Sequence, residues 1–253
     1  MDQPTILAPG EPHPVLTRRE CGTSPIVLIS DHAGRRVPAR LGSLGLADSA
    51  LRRHIGWDIG IWAVTELLAD SLDAVAIGQA YSRLVIDNNR PTDVPGSIPI
   101  ISETTDIPGN TGIAEAERAA RYSEIMRPYH ARIAAELDRR AGQPVFLISM
   151  HSFTPVYMGI ARPWHIGTLY YRDFRLARAL FELLGAEPGL VVGDNEPYAV
   201  SDQSDYSIPV HGEARGLPHV GLEIRQDLIT DAAGQQRWAA LLARLLPMAV
   251  SQI

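Results

Sequence analysis

Short apolar runs and longer stretches with helical spacing alternate along most of the chain. Uninterrupted apolar segments are typical of buried parallel strands, and they predict strands at 26–30, 74–78, 83–87, 145–150, 166–171, 189–192 and 219–225. Apolar positions at helical spacing predict helices at 47–71, 113–141, 172–184 and 231–249, the last with Asp231 as its N-cap. This alternation indicates an α/β fold, in which helices cover both faces of a mostly parallel sheet.

Three segments lack a repeating apolar pattern. Residues 1–24 are predicted to form an irregular arm, and no linker divides the remainder, so we expect residues 1–253 to form a single catalytic domain. The segments 91–112 and 194–215 are rich in proline, glycine and polar residues. Loops of this length in a compact domain are usually functional or mobile, and here they would determine how open a substrate pocket is.

The composition excludes several classes of function. A net charge of −6 offers no basic surface for nucleic acid, and no apolar run is long enough to span a membrane. The first residues lack the basic start and apolar core of a signal peptide, so a cytoplasmic location is expected. Cys21 is the only cysteine and lysine is absent, which excludes an internal disulfide, a cysteine zinc cluster and lysine-based catalysis.

Two histidines stand at equivalent strand ends. His32 follows the run 26–30, and His151 follows the run 145–150. The carboxyl ends of parallel strands meet at the ligand-binding edge of a sheet, and imidazole suits a catalytic zinc ion, which takes three protein ligands and one water. The alternative is that both histidines are structural and hydrogen-bonded within turns. Asp31 could orient an imidazole or form an Asx turn.

The third metal ligand is predicted to be Asp58. This carboxylate lies among apolar residues, where it needs a partner, and a metal ion would provide one. His54 lies four residues earlier, on the same face of the predicted helix, and is the alternative ligand. A local cap or salt bridge is the alternative role for Asp58.

Glu223 lies in the last predicted strand, next to apolar residues. Beside a metal-bound water it would act as a general base, whereas its structural alternative is an ion pair with a nearby arginine.

A polar cluster follows the run 83–87, and two more candidates lie in the second long loop. Arginine binds carboxylates through parallel hydrogen bonds, and asparagine satisfies the remaining lone pairs. The alternatives are a solvated loop start for the cluster and simple packing for the loop residues. The candidate substrate contacts are Arg83, Asn88, Asn89, Arg90, Tyr198 and His211.

Five motifs occur in an order that resembles the N-formylglutamate amidohydrolase family. They are Ser30-Asp31-His32-Ala33-Gly34, Trp57-Asp58-Ile59-Gly60, the segment 82–91, Met150-His151-Ser152-Phe153 and Leu222-Glu223-Ile224-Arg225. The resemblance extends from about residue 24 to about residue 248. It implies a three-layer α/β/α fold with a mixed, mostly parallel central sheet, of the phosphorylase/hydrolase-like type found in zinc carboxypeptidases and aspartoacylases.

The resemblance also implies roles for single residues. His32 and His151 match the first and last zinc ligands. Carboxypeptidases have His-x-x-Glu at the first ligand, but Arg35 occupies the position of that glutamate here. Asp58 is therefore expected to supply the acidic ligand. The remaining matches are the catalytic glutamate, a carbonyl-polarising arginine and an Asn-Arg pair that holds a substrate carboxylate, at Glu223, Arg83, Asn89 and Arg90 respectively.

Together these expectations describe a zinc-dependent amidohydrolase with one Zn²⁺ per chain. Its substrate would be a small N-acyl amino acid resembling N-formylglutamate, with formate and an amino acid as products, in amino-acid catabolism. One alternative is a metallopeptidase acting on a larger amide, and another is a non-catalytic carboxylate-binding module on the same fold. The presence of His32, His151 and Glu223 favours the enzyme, and the sequence leaves the acyl group, the side chain and the oligomeric state open.

Overall fold

A seven-stranded mixed sheet forms the centre of the computed structural model, which describes residues 5–253. The strands in chain order are β1 (Val15–Arg18), β2 (Ile26–Ser30), β3 (Val75–Gln79), β4 (Ile101–Ser102), β5 (Thr105–Asp106), β6 (Phe146–Phe153), β7 (Val156–Tyr157), β8 (Ile160–Ala161), β9 (Ile166–Leu169), β10 (Val192–Asp194) and β11 (His219–Arg225). The sheet order is β1-β3-β2-β6-β11-β9-β10, and β4–β5 and β7–β8 are separate hairpins. Within the described seven-stranded sheet, only the β1–β3 and β11–β9 pairs are antiparallel. The predicted mixed, mostly parallel sheet is confirmed.

Helices cover both faces of this sheet. They are α1 (Asp48–Leu51), α2 (Ile61–Leu72), α3 (Glu115–Arg121), α4 (Arg127–Arg139), α5 (Arg175–Gly185) and α6 (Ala232–Val250). Because successive strand residues point to opposite faces, Ile26 and Leu28 pack with α2, α5 and α6, while Val27 and Ile29 pack with α4. The α/β/α layering is therefore confirmed. Within residues 5–253, no helix combines the length and apolar character needed to cross a bilayer.

The predicted strand at 83–87 is wrong, because this segment folds as buried turns. Leu84 and Val85 are fully buried, which explains their apolar character. Their carbonyls accept hydrogen bonds from side chains instead of from a neighbouring strand: Asn110 Nδ2 donates to Leu84 at 2.8 Å and Arg121 Nη1 donates to Val85 at 2.9 Å. A short apolar run does not distinguish a strand from a buried loop whose backbone groups are satisfied in this way.

The predicted helix at 47–71 is interrupted, and α1 and α2 are separated by turns. Gly60 has φ +80°, and a Cβ at this position would lie 2.1 Å from the carbonyl oxygen of Ile229. Only glycine fits this close approach in a left-handed conformation. Asp58 consequently lies in a turn, and the argument that His54 and Asp58 share a helical face is wrong.

The other predicted elements agree more closely with the structure. The segment 113–141 contains α3 and α4 joined by a π-helical turn at Tyr122–Met126, and the last two predicted helices match α5 and α6. Asp231 caps α6, since its side chain accepts a hydrogen bond from Gly234 N at 2.7 Å. The strand predicted at 189–192 is displaced to β10. The N-terminal arm is not irregular throughout, because β1 lies within it; residues 1–4 lie outside the described residues.

Asn110→Ala should destabilise the fold. Asn110 Nδ2 also donates to the Pro99 carbonyl at 2.7 Å, and its Oδ1 accepts from Arg121 Nη1 at 2.7 Å. A buried polar group left unsatisfied costs about 1–3 kcal/mol, so the free energy of unfolding should fall by about 2–4 kcal/mol. Urea unfolding would measure this loss, with Asp231→Ala as a reference for the roughly 1 kcal/mol of a helix cap. An unchanged midpoint for Asn110→Ala would contradict the role of this side chain.

Candidate active site

Three buried side chains converge where β2 and β6 lie side by side. His32 follows the end of β2, whereas His151 lies inside β6. Asp58 is fixed beside them, because its backbone N–H donates to the carbonyl of His32 at 3.0 Å. Asp58 Oδ2 lies 3.0 Å from His151 Nδ1 and 3.5 Å from His32 Nδ1. One ligand atom from each residue lies within 4.8 Å of the others, so this group could hold a metal ion.

The outer nitrogen of each histidine is held by another aspartate. His32 Nε2 lies 2.7 Å from Asp87 Oδ1, and His151 Nε2 lies 3.2 Å from Asp31 Oδ2. Carboxylates only accept hydrogen bonds, so each Nε2 donates to its aspartate, and each Nδ1 faces Asp58 Oδ2. A metal-binding histidine is held in this way, with its outer N–H on a carboxylate and its other nitrogen directed at the metal position. Orienting an imidazole was one of the two roles that the sequence predicted for Asp31. The role of Asp87 was not predicted, although its position directly after an apolar run is a usable signal.

The charges around this group favour a cation. Burial alone would raise the pKa of Asp58, but the charges and hydrogen bonds of His32 and His151 hold it well below its usual range. Burial lowers the pKa of His151, yet the carboxylates of Asp31 and Asp58 raise it well above normal. Tetrahedral zinc with bonds of about 2.0 Å separates its ligand atoms by about 3.3 Å, which is close to the observed 3.0 and 3.5 Å. The donor set therefore fits a divalent metal ion.

Glu223 lies beside this group, since it pairs with His151 across β11 and β6. The side chain is buried, and its Oε2 has no hydrogen-bond partner among residues 5–253. Burial raises the pKa of Glu223 to about 7, with the charge of His151 opposing and that of Asp58 adding to the effect. A carboxyl group that titrates near neutral pH is suited to accepting and returning a proton.

A cavity of about 460 Å³ opens over these residues. Both long loops contribute to its wall, which also includes Arg83 and Arg90. Arg83 donates from Nε and Nη2 to Asp87 Oδ2, at 3.1 and 2.6 Å, and its Nη1 lies 3.7 Å from Asp58 Oδ1. Arg90 Nη1 donates to the carbonyls of Asn89 and Ser204. Two guanidinium groups therefore line the cavity beside the candidate metal group, that of Arg83 paired with Asp87 and that of Arg90 bonded to carbonyl oxygens.

Asn88 and His211 do not line this cavity, which corrects the expectation that they contact substrate directly. Asn88 is fully buried; its Oδ1 accepts from Gln79 Nε2 at 3.2 Å. His211 is buried behind the site, with its Nε2 3.0 Å from His130 Nδ1. Both residues point into the interior because the loops that carry them fold inward, which the sequence pattern did not reveal.

The remaining candidates lie on the cavity wall in more specific settings. Asn89 Oδ1 accepts from the backbone N–H groups of residues 206 and 207, and its Nδ2 donates to Asp205 at 3.0 Å, so it fixes the second loop. Tyr198 is 44% exposed, and its hydroxyl accepts from Arg162 Nη1 at 2.9 Å. His54 Nε2 lies 3.5 Å from Glu103 Oε2 and does not belong to the candidate metal group.

Asp87→Asn should weaken metal binding without removing a ligand. The substitution replaces the carboxylate that orients His32 and pairs with Arg83. Loss of such an outer partner typically lowers metal affinity by about 10–100-fold. Zinc titration against a competing chelator would measure the change, with the exposed Asp48→Asn as the matched control. Equal affinities for Asp87→Asn and wild type would show that Asp87 does not orient a ligand.

Comparison with known proteins identifies the family and related folds. The family model described as N-formylglutamate amidohydrolase matches residues 24–230. A crystal structure of a gene product from Agrobacterium tumefaciens is 37% identical, with a TM-score of 0.94 over 97% of this chain and 98% of that one. The N-formylglutamate amidohydrolase from Ralstonia eutropha JMP134 is 23% identical, with a TM-score of 0.68 over 94% and 98%, and shares the fold. No curated protein matches significantly. The chain belongs to the N-formylglutamate amidohydrolase family.

Proposed function

We propose that this protein is a zinc-dependent amidohydrolase with one zinc ion per chain, and that it cleaves the amide of a small N-acyl amino acid. N-formylglutamate is the leading substrate, with formate and glutamate as products. The observation that carries this proposal is the meeting of three ligand atoms from His32, Asp58 and His151 beside the unpartnered carboxyl of Glu223. A non-catalytic carboxylate-binding module would need neither the three ligand atoms nor the carboxyl group of Glu223 beside them.

The residues around the cavity divide the hydrolytic work. Zinc bound by the three ligands would lower the pKa of a water molecule and polarise the amide carbonyl. Glu223 would take the proton from the attacking water and deliver it to the leaving nitrogen. Arg83 would stabilise negative charge that develops on the carbonyl oxygen, because its guanidinium faces the same group.

Arg90 is proposed to bind the α-carboxylate of the substrate. Its guanidinium lines the cavity and bonds only to carbonyl oxygens within residues 5–253, so its charge is not neutralised by a carboxylate. Asn89 holds the loop that places Ser204 against Arg90, and its second amide N–H is available to the same carboxylate. In this proposal Arg90 provides the charge that binds the carboxylate, and Asn89 mainly positions the loop and adds one hydrogen-bond donor.

A peptidase acting on a larger amide is the second candidate, because the cavity has room for a substrate larger than a formylated amino acid. A volume of about 460 Å³ falls in the roughly 300–1,000 Å³ range of pockets that enclose drug-sized ligands, which exceed a formylated amino acid.

A substrate panel on zinc-loaded protein would test the proposal. The panel contains N-formyl, N-acetyl and N-succinyl amino acids and short peptides, with release of primary amine as the readout. We expect N-formylglutamate to be hydrolysed, and its α-carboxamide to be a poor substrate. Turnover of peptides alone would establish the second candidate, and no turnover by a metal-replete protein would contradict both.

A further inference from the structure

A short hairpin holds Arg162 beside two tyrosines of the cavity wall. The β7–β8 turn consists of Met158 and Gly159, both with positive φ, and the Arg162 N–H donates to the Pro155 carbonyl at 2.8 Å, which extends the hairpin by one pair. Two consecutive residues with positive φ match the twist of paired strands. Arg162 is therefore fixed at the base of the hairpin.

The guanidinium of Arg162 lies among aromatic rings that line the cavity. Its carbon is 4.6 Å from the ring centre of Tyr157 and 4.8 Å from that of Tyr198, and both tyrosines line the cavity. Its side chain makes one hydrogen bond to the described part of the chain, from Nη1 to the Tyr198 hydroxyl. An arginine has five N–H donors, so most of its donors remain available.

The charge of Arg162 is not neutralised by any carboxylate that the structure describes. Within residues 5–253, no carboxylate forms a salt bridge with it. Its charge nevertheless acts on two residues that line the cavity. Burial has the largest effect on the pKa of His54 and lowers it, and the charge of Arg162 lowers it further. Burial raises the pKa of Tyr198, and the charge of Arg162 opposes that rise. Arg172 also stacks on a tyrosine, with its guanidinium carbon 4.1 Å from the Tyr171 ring centre, but it is paired with Asp202.

We propose that Arg162 is a specificity-determining residue, which binds a second carboxylate of the substrate at the wall formed by Tyr157 and Tyr198. Arg90 lines the cavity, and Arg162 lies against Tyr157 and Tyr198, which line it; neither guanidinium has a carboxylate partner within residues 5–253. A dianionic substrate would satisfy both, since arginine binds a carboxylate through parallel hydrogen bonds. This inference rests on the proposed amidohydrolase function and adds the residue that reads the distal charge.

The test compares acid and amide forms of the distal group in two substrate pairs. N-Formylglutamate and N-formylglutamine place that group on the amino-acid side, and N-succinylglycine and its terminal amide place it on the acyl side. In one of the two pairs, wild type should prefer the acid over the amide by about 10–100-fold in kcat/KM, mainly through a lower KM. The pair that shows this preference identifies whether the second carboxylate belongs to the amino acid or to the acyl group. Arg162→Gln should remove most of this preference and leave the amide nearly unchanged, and Arg162→Lys should restore part of it.

Arg172→Gln is the matched control, and it should keep the wild-type preference. Titration calorimetry of glutarate against glutaramate provides a readout that needs no turnover, and Arg162→Gln should reduce the preference for glutarate. A lost preference in calorimetry with no hydrolysis would support Arg162 and contradict the proposed function. Hydrolysis without an acid preference in either pair would overturn the role of Arg162, as would equal losses on acid and amide, which a purely structural arginine predicts.

Discussion

His151→Ala should remove both the metal and the activity. Among residues 5–253, His151 supplies one of three candidate ligand atoms, and its imidazole also connects Asp58 to Asp31. With two protein ligands left, zinc binds weakly. The zinc affinity should therefore fall further than the decrease of about 10–100-fold expected when a ligand loses its outer hydrogen-bond partner, as in Asp87→Asn. Metal analysis after dialysis and zinc titration would measure the first effect, and turnover of N-formylglutamate the second.

Two comparisons make this result specific to the metal. The exposed His13→Ala removes an imidazole far from β6 and should retain wild-type zinc content. Circular dichroism should show that His151→Ala remains folded, because Asp31 keeps hydrogen bonds from Tyr129 and Ser207. Wild-type protein that carries no divalent metal, and whose activity resists chelators, would contradict the proposed centre.

Much of the sheet could be predicted because its strands are buried on both faces. In β2, alternate residues from 26 to 29 enter two different cores, so these four positions are all apolar and the run is easy to detect. The same apolar pattern wrongly predicted a strand at 83–87. This segment is a turn that can be buried because the side chains of Asn110 and Arg121 donate hydrogen bonds to its carbonyls. Such contacts come from residues more than twenty positions away, which local periodicity does not register.

The placement of the site residues shows the same division. The strand-end rule correctly predicted that His32 and His151 meet, because β2 and β6 are parallel neighbours, although β6 continues to Phe153 beyond the predicted end at residue 150. Asp58 was identified through its apolar surroundings, although the helix assigned to it is absent. His211 could not be placed, because polar residues of a long loop face the cavity or the interior depending on tertiary contacts. Its contact with His130 joins positions 81 residues apart.

Glu223→Gln should abolish turnover while the metal stays bound. Glu223 is not one of the three candidate ligands, and glutamine has nearly the same shape but does not accept the proton of the attacking water. Loss of a general base typically lowers the rate about 10²–10⁴-fold, and kcat should fall by this factor. The fold should tolerate the change, because the buried site already raises the pKa of Glu223 to about 7 and so accommodates an uncharged side chain.

The matched control for this prediction is Glu182→Gln, which removes an exposed carboxylate and should leave kcat unchanged. Zinc content and thermal unfolding of Glu223→Gln should resemble those of wild type, which distinguishes a lost proton acceptor from a damaged site. Glu223→Asp keeps the carboxyl but shortens it by one methylene, so its kcat should lie between wild type and Glu223→Gln. If Glu223→Gln instead turned over substrate at the wild-type rate, the proton would have to move through another group. If it lost zinc together with activity, Glu223 would support the metal and would not act on the substrate.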